Sequence, residues 1–309
     1  MSEDNRILQF LENESVDSAL LDGVREYTEK YPVKEELKER IPRPDCPYYG
    51  KEVWEKALSA ILTVKNLLLT GPRATGKNIF AENLAALFER PAWNISFHVG
   101  ADAAYILGTD TFDGEKVTFR PGPLTEASEK GGFAVLDEVN MARNEALSVM
   151  HSGLDHRRIL DIPGYRKVDI DPASRFIGTM NYGYAGTREM NEALCSRFVV
   201  LEMPVIAEGD MERLLKTRFP GLKPQMAAQF SKLFYELNNK AENGEISDRA
   251  PDLRGLLDAL DMMSMGTPSG AALDMCITNK TFDRYERGLV RDVIRARIPA
   301  DLKKESIFG

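Results

Sequence analysis

The chain has 309 residues, of which 43% are hydrophobic and 28% charged, with a formal net charge of −8. That length suits about two domains of an ordinary soluble globular protein, and the acidic balance, with a pI near 5.2, argues against a nucleic-acid partner, which usually needs a basic face. Cys46, Cys195 and Cys276 are far apart and form no C-x-x-C pair, so they read as free thiols in a reducing cytosol, and His98, His151 and His156 are too scattered for a metal site. The opening MSEDNRILQF lacks a basic segment followed by an apolar run, and no apolar stretch reaches membrane-spanning length. A cytoplasmic protein with no membrane contact is expected.

Residues 1–47 are expected to form a charged helical extension (VREYTEKYPVKEELKER), punctuated by Pro42 and Pro44. It carries no evident chemistry and reads as a packing arm or a partner-binding segment. Residues 48–205 change pattern. VWEKALSAIL has helical spacing, NLLLTG reads as a buried parallel strand ending at Gly71, and KNIFAENLAALFER resumes a helical period. WNISFHV, FAVLDE, RFIGTMN and FVVLEMP supply four further strands. Strands alternating with helices predict an α/β fold with a parallel sheet, whose ligands sit at the carboxyl ends of the strands. Two hairpins are expected within it. Thr111–Phe119 turns at Asp-Gly, and Arg158–Ile170 turns at Pro-Gly. Residues 206–309 lack strand runs and predict a small helical domain, with breaks at Pro220-Gly221, Asn243-Gly244 and Thr267-Pro268.

The stretch GPRATGKN, Gly71 to Asn78, lies between the first strand and its helix, where a phosphate-binding loop belongs. Its glycines let backbone N–H groups turn inward around phosphate oxygens, and Lys77 adds a charge. The usual last residue is Ser or Thr, whose hydroxyl ligates Mg²⁺; here it is Asn78. Asp137 and Glu138 end a strand, where one carboxylate can hold Mg²⁺ and the next can polarise water, although acidic pairs also serve as helix caps. Asn181 ends the next strand and reads as a γ-phosphate or water-orienting group, or as part of a turn with Tyr182 and Gly183. Arg197, in LCSRF, is either a surface ion-pair residue or an arginine finger. Arg254, in the helical domain, either reaches the nucleotide or is solvated. The run His156-Arg157-Arg158 reads as the solvated base of a hairpin or a subunit contact, and Met262, Met263 and Met265 as packing.

Taken in order, GPRATGKN, FRPGPLTEA leading to GGFAVLDEVNMA, DHRRILDI, FIGTMNYGY and ALCSRF make the chain resemble the AAA+ ATPases from about Tyr49 to Val205. Within them it is similar to the MoxR-like group that includes the CbbQ/NorQ activators. The resemblance implies that Gly71, Pro72, Arg73, Ala74, Thr75, Gly76, Lys77 and Asn78 form the Walker A loop that binds ATP. It implies that Asp137 and Glu138 form Walker B, with Asn78 and Asp137 at the Mg²⁺ ion. Asn181 corresponds to sensor 1, Arg197 to the arginine finger and Arg254 to sensor 2. The first hairpin corresponds to the helix-2 insert and the second to the pre-sensor-1 hairpin. The family further implies a homo-oligomeric ring, usually a hexamer, that remodels a client protein, often with a von Willebrand factor A-domain partner.

The leading expectation is an ATP-hydrolysing ring motor with Phe112 and Phe119 facing its pore. The alternative is an ATP-gated assembly protein with weak or no turnover, motivated by Asn78. A nucleic-acid motor using GTP is disfavoured by the acidic pI.

Overall fold

The computed structural model describes residues 5–112, 114–181 and 190–309, in two compact units. The first comprises the chain up to Pro72 and Gly76–Pro204; the second comprises Val205–Gly309, with Arg73–Thr75 grouped alongside it.

Among the described residues the first unit holds nine strands: β1 (Asn66–Thr70), β2 (Ala92–Ser96), β3 (Gly108–Phe112), β4 (Val117–Pro121), β5 (Phe133–Asp137), β6 (Ile159–Ile162), β7 (Arg166–Asp169), β8 (Arg175–Met180) and β9 (Phe198–Glu202). Five of them form one parallel sheet in the order β2-β5-β8-β1-β9. The expected α/β architecture is therefore present, and β1 sits between β8 and β9 as an interior strand. All five β1 residues are buried, which is why NLLLT reads as an unbroken apolar run rather than an alternating one. Successive side chains still go to opposite faces. Leu67 and Leu69 join one core with Phe133, Val135 and Ile177, while Leu68 joins another with Ala134, Leu136 and Phe176.

Residues 5–47 supply part of that first core. Ile7, Leu8, Leu11, Leu21, Val24 and Tyr27 are buried with Trp54, Leu58 and Phe80. The structure thus packs this segment against the core. Helices Arg6–Asn13 and Ser18–Lys30 start at Asn5 and Asp17, whose side chains accept from the backbone N–H groups of Leu8 and Ala19.

The amino ends of the sheet strands are closed by arginines. Arg175, the first residue of β8, donates from Nε to Ile61 O at 2.8 Å and from Nη1 to Pro172 O at 2.7 Å. Arg90, just before β2, donates to Gly131 O at 2.8 Å and Tyr31 O at 2.6 Å. Tyr27 hydrogen-bonds to Ala173 O, and burial pushes its hydroxyl up to about 12 despite the nearby Arg175 and Arg90. Arg158 differs from the expectation of a solvated hairpin base. Its φ is +49°, and its guanidinium donates to Asp171 O and Ser174 O at 3.2 and 3.0 Å. Its neighbour Arg157 makes a surface ion pair with Asp155.

Strands β3 and β4 pair as one antiparallel hairpin, β6 and β7 as another. Asp113 of the expected Asp-Gly turn lies outside the described residues. Phe112, at the end of β3, is 69% exposed beside Val117. Phe119 departs from the expected free presentation. It is half-buried, with its ring 4.6 Å from that of Tyr165 in the second hairpin, because it lies nearer the hairpin base where Tyr165 can reach it.

The second unit is helical. Helices Glu208–Arg218, Pro224–Glu242, Leu253–Ser264, Ser269–Cys276 and Arg284–Arg297 share a core that includes Phe230, Leu233, Leu256, Leu260, Leu273, Val290 and Ile294. The helix ends coincide with the three breaks expected from Gly and Pro. Met263 is buried and Met262 packs against the core, whereas Met265 is exposed. Among the described residues no helix is long and apolar enough to cross a membrane.

Candidate functional site

The loop after β1 is shaped by its glycines. Gly71 has φ +138°, and a Cβ there would lie 2.8 Å from the carbonyl oxygen of Met203, so neither the conformation nor the space admits a side chain. Gly76, at φ +79°, turns the chain into helix Lys77–Leu87. Between them Ala74 also has positive φ, at +62°. The result is a short arch ending at the N-terminus of an eleven-residue helix, where the first-turn backbone N–H groups and the helix dipole favour an anion.

Lys77 is only 7% exposed. Its ammonium donates to Gly71 O at 2.9 Å and Pro72 O at 2.6 Å, inside the arch. Burial pushes its pKa down to about 8, while Asp137 and Glu138 pull it back up. Asn78 is exposed on the first helical turn. Tyr48 flanks the arch: its ring packs on Phe80 at 4.8 Å and would meet a Cβ on Gly76 at 3.2 Å. Asn83 accepts from the Tyr48 backbone N–H at 3.1 Å and fixes that segment.

Asp137 closes β5 and Glu138 follows it in the left-handed region, at φ +53°. That bend interrupts the simple alternation of the strand. Asn181, one residue past β8, donates from Nδ2 to Glu138 Oε1 at 3.4 Å. The structure therefore brings Asp137, Glu138 and Asn181 together at the carboxyl ends of β5 and β8, next to β1 and its loop. Tyr182 and Gly183 lie outside the described residues.

Thr179 and Asn140 also belong to this cluster, and neither was singled out from the sequence. The Thr179 hydroxyl donates to Asp137 Oδ1 at 2.6 Å and accepts from the Glu138 N–H at 3.1 Å. Asn140 donates to Asn181 O at 2.9 Å. A polar residue inside the apolar run FIGTM was the available signal for Thr179. Tyr48 had no comparable signal, because its neighbours in the cluster are distant in sequence.

Arg197 is not brought to this cluster within one chain. It immediately precedes β9, at the amino end of the sheet, whereas the loop leaves β1 at its carboxyl end, about 13 Å away along the strand. Its guanidinium donates to His151 O at 3.1 Å and to Ala193 O, and its own carbonyl accepts from Asn66 at 2.8 Å. Arg254 is exposed on helix Leu253–Ser264 of the second unit.

A family model described as the AAA domain of the dynein-related subfamily matches residues 66–198, from the start of β1 to the start of β9. The chain is 32% identical over 243 residues to the uncharacterized protein YojN of Bacillus subtilis, covering 77% of this chain and 79% of that one. The chain belongs to the AAA+ ATPases. It is also 31% identical over 248 residues to the uncharacterized protein SSP1341 of Staphylococcus saprophyticus, covering 78% and 94% of the two chains. Among solved structures it is similar to a RuvB mutant from Thermotoga maritima, at 16% identity and a TM-score of 0.49, covering 87% of this chain and 76% of that one.

The residues present suit a magnesium–nucleotide. The arch is a cradle that a Cβ at Gly71 would fill. The Thr70 hydroxyl at its base is buried without a partner among the described residues. The oxygen donors of Asn78 and Asp137 are hard ligands of the kind Mg²⁺ takes, usually with only one or two protein carboxylates and the remaining positions filled by phosphates and water. Among the described residues no group of three His, Cys, Asp or Glu side chains forms a self-sufficient metal cage.

Proposed function

We propose that this AAA+ protein hydrolyses ATP and works as a MoxR-like ring that remodels or activates a client protein. The observation that carries the reading is the contact of Asn181 with the Glu138 carboxylate, beside Asp137 at the strand ends next to the Lys77 loop. In this reading the loop N–H groups from Gly71 to Asn78 and the helix dipole hold the phosphates, and Lys77 exchanges its contacts with Gly71 and Pro72 for the β- and γ-phosphate oxygens. Asn78 and Asp137 would hold Mg²⁺, which would supply neutralisation of charge on the phosphates. Glu138 orients a water and accepts its proton as the water attacks the γ-phosphorus, the bond from that phosphorus to the β,γ-bridging oxygen breaks, and ADP leaves with inorganic phosphate as the other product. Asn181 keeps the Glu138 carboxylate and the water aligned.

Arg197 acts in trans in this reading. Its place at the amino end of the sheet removes it from its own chain's site, so a ring, hexameric in the resemblance, would deliver it to a neighbour's nucleotide. Arg254 would contribute as sensor 2. A von Willebrand factor A-domain protein as the link to the client, and a cytoplasmic location, follow from the same resemblance.

Asn78 supports a second reading, an ATP-gated assembly protein with little turnover. An amide oxygen can ligate a hard cation, but it is bulkier than a hydroxyl and Mg²⁺ demands near-octahedral geometry.

One experiment tests both readings: turnover and fluorescent-nucleotide affinity for the wild-type chain and Glu138→Gln. The expected outcome is a turnover lower by about 10²–10⁴-fold in Glu138→Gln, with affinity within a few-fold of wild type. Equal turnover in the two proteins would remove Glu138 from the mechanism. Tight binding with no turnover in the wild type, at any Mg²⁺ concentration, would favour the assembly reading.

A further inference from the structure

We propose that Thr179 is a positioning residue that sets Asp137 and Glu138 for their separate tasks. This rests on the hydrolytic reading above. Thr179 lies on β8, is 1% exposed, and acts on the nucleotide site only through Asp137 and Glu138 in this proposal. A hydroxyl has one donor and two acceptor sites. Here the donor goes to Asp137 Oδ1 at 2.6 Å and an acceptor receives the Glu138 N–H at 3.1 Å. One side chain therefore grips consecutive residues of a neighbouring strand by opposite ends of its hydrogen-bonding capacity.

The consequence for each residue is different. On Asp137 the bond occupies Oδ1 and orients the carboxylate, leaving Oδ2 for a hard cation. On Glu138 the bond is to the backbone, at the point where φ is +53°. A non-glycine residue in the left-handed region is strained, so that bend persists only where its surroundings hold it. Among the described residues the side chain of Glu138, by contrast, accepts one hydrogen bond, the 3.4 Å contact from Asn181. The peptide is thus held by Thr179 while the exposed carboxylate meets Asn181, an arrangement that suits a group that must take a proton from water. Asn140, donating to Asn181 O at 2.9 Å, braces the same pair of strands from the opposite direction.

A threonine that merely fills the core would tolerate valine, which has nearly the same shape and lacks the hydroxyl. The test is therefore Thr179→Val against Thr179→Ser in the full chain. Three quantities are read for each: kcat and KM, the affinity of a fluorescent ATP analogue with and without Mg²⁺, and the melting temperature.

For Thr179→Val the expected loss is about 10–100-fold in kcat, in line with the removal of groups that orient metal ligands. Its affinity without Mg²⁺ should be unchanged, while the gain in affinity on adding Mg²⁺ should shrink by a similar factor. Thr179→Ser should recover most of both. Thr179→Ala replaces the valine variant if that one fails to fold. A valine or alanine variant with wild-type kcat and a wild-type Mg²⁺ effect overturns the proposal. So does a serine variant as impaired as the valine one with both equally lowered in melting temperature, since only packing would then be at stake. If the wild type does not turn over ATP at all, the hydrolytic reading fails by itself, and the Mg²⁺ effect on binding still decides the Asp137 half of this proposal.

Discussion

The two ends of the five-stranded sheet are built from the same strands and lie about 13 Å apart along β1, yet they treat polar groups in opposite ways. At the amino ends, Arg90 and Arg175 are each 3% exposed, and their guanidiniums donate to backbone carbonyls of Gly131, Tyr31, Ile61 and Pro172. At the carboxyl ends, Glu138 is exposed and meets Asn181 only at 3.4 Å, Lys77 donates to the carbonyls of its own loop, and the Thr70 hydroxyl has no partner among the described residues. A buried cation whose N–H groups are matched to carbonyls holds the chain together and has nothing left to offer a ligand. A set of groups with unspent or easily exchanged hydrogen bonds does the reverse. The lesson is that the burial of charge does not mark a functional site; the hydrogen bonds still available do.

The largest expected effect that sharpens this contrast is at the amino end. Arg175→Met keeps most of the side-chain volume but strips the carbonyls of Ile61 and Pro172 of their donor, and removes the guanidinium that lies 5.2 Å from the Tyr27 ring. A loss of about 3 kcal/mol in unfolding free energy is expected, because buried groups are left unpaired. Nucleotide affinity of the folded fraction should stay within a few-fold of wild type. Denaturant unfolding and nucleotide titration measured together check this. A variant that is fully stable but cannot bind nucleotide would break the contrast.

A smaller effect is expected at the carboxyl end, from Lys77. Its pKa is pushed down to about 8 by burial, and bound phosphates favour the charged form. Lys77 is charged below pH 8, so affinity should be level there. Above pH 8 it loses its proton in the free protein, and affinity should fall by about tenfold for each further pH unit until the pKa of the bound form is reached. The linked effect on folding has the opposite sense. A lysine depressed from its ordinary value destabilises the folded state most fully below pH 8, and that cost is relieved as pH rises from 8 towards the unfolded pKa. Nucleotide binding between pH 7 and 10 for wild type and Lys77→Met tests the assignment, and a flat profile in the wild type would sink it.

The smallest effect is that of Tyr27→Phe, which removes the hydroxyl that donates to Ala173 O and leaves the ring contacts with Phe88 and Tyr31. A cost of about 1 kcal/mol in stability is expected, with turnover unchanged. A turnover loss without a stability loss would mean that the amino-terminal helices act on the site and not only on the core.

Local order in the chain determined much of this protein. The apolar runs at Asn66, Phe133, Arg175 and Phe198 become sheet strands because a strand buried on both faces must be apolar throughout. Gly71 and Gly76 mark the arch because only glycine accepts those φ values without strain, so that motif is written in residue type and spacing alone. Asp137, Glu138 and Asn181 were legible for a related reason: a polar residue that ends an apolar strand is conspicuous, and in a parallel sheet all such ends lie on one side. Tertiary structure decided the rest. That Thr179 joins Asp137 to Glu138 depends on the register of β5 against β8, which pairs Leu136 with Gly178, and no local pattern encodes a register between strands about forty residues apart. That Arg158 is pinned while Arg157 is solvated, that Phe119 is covered by Tyr165 while Phe112 stays exposed, and that Tyr27 closes the base of the sheet depend in the same way on which distant segments meet. A side chain's partners are set by the packing of whole elements, and packing depends on shape across the chain rather than on the identity of its sequence neighbours.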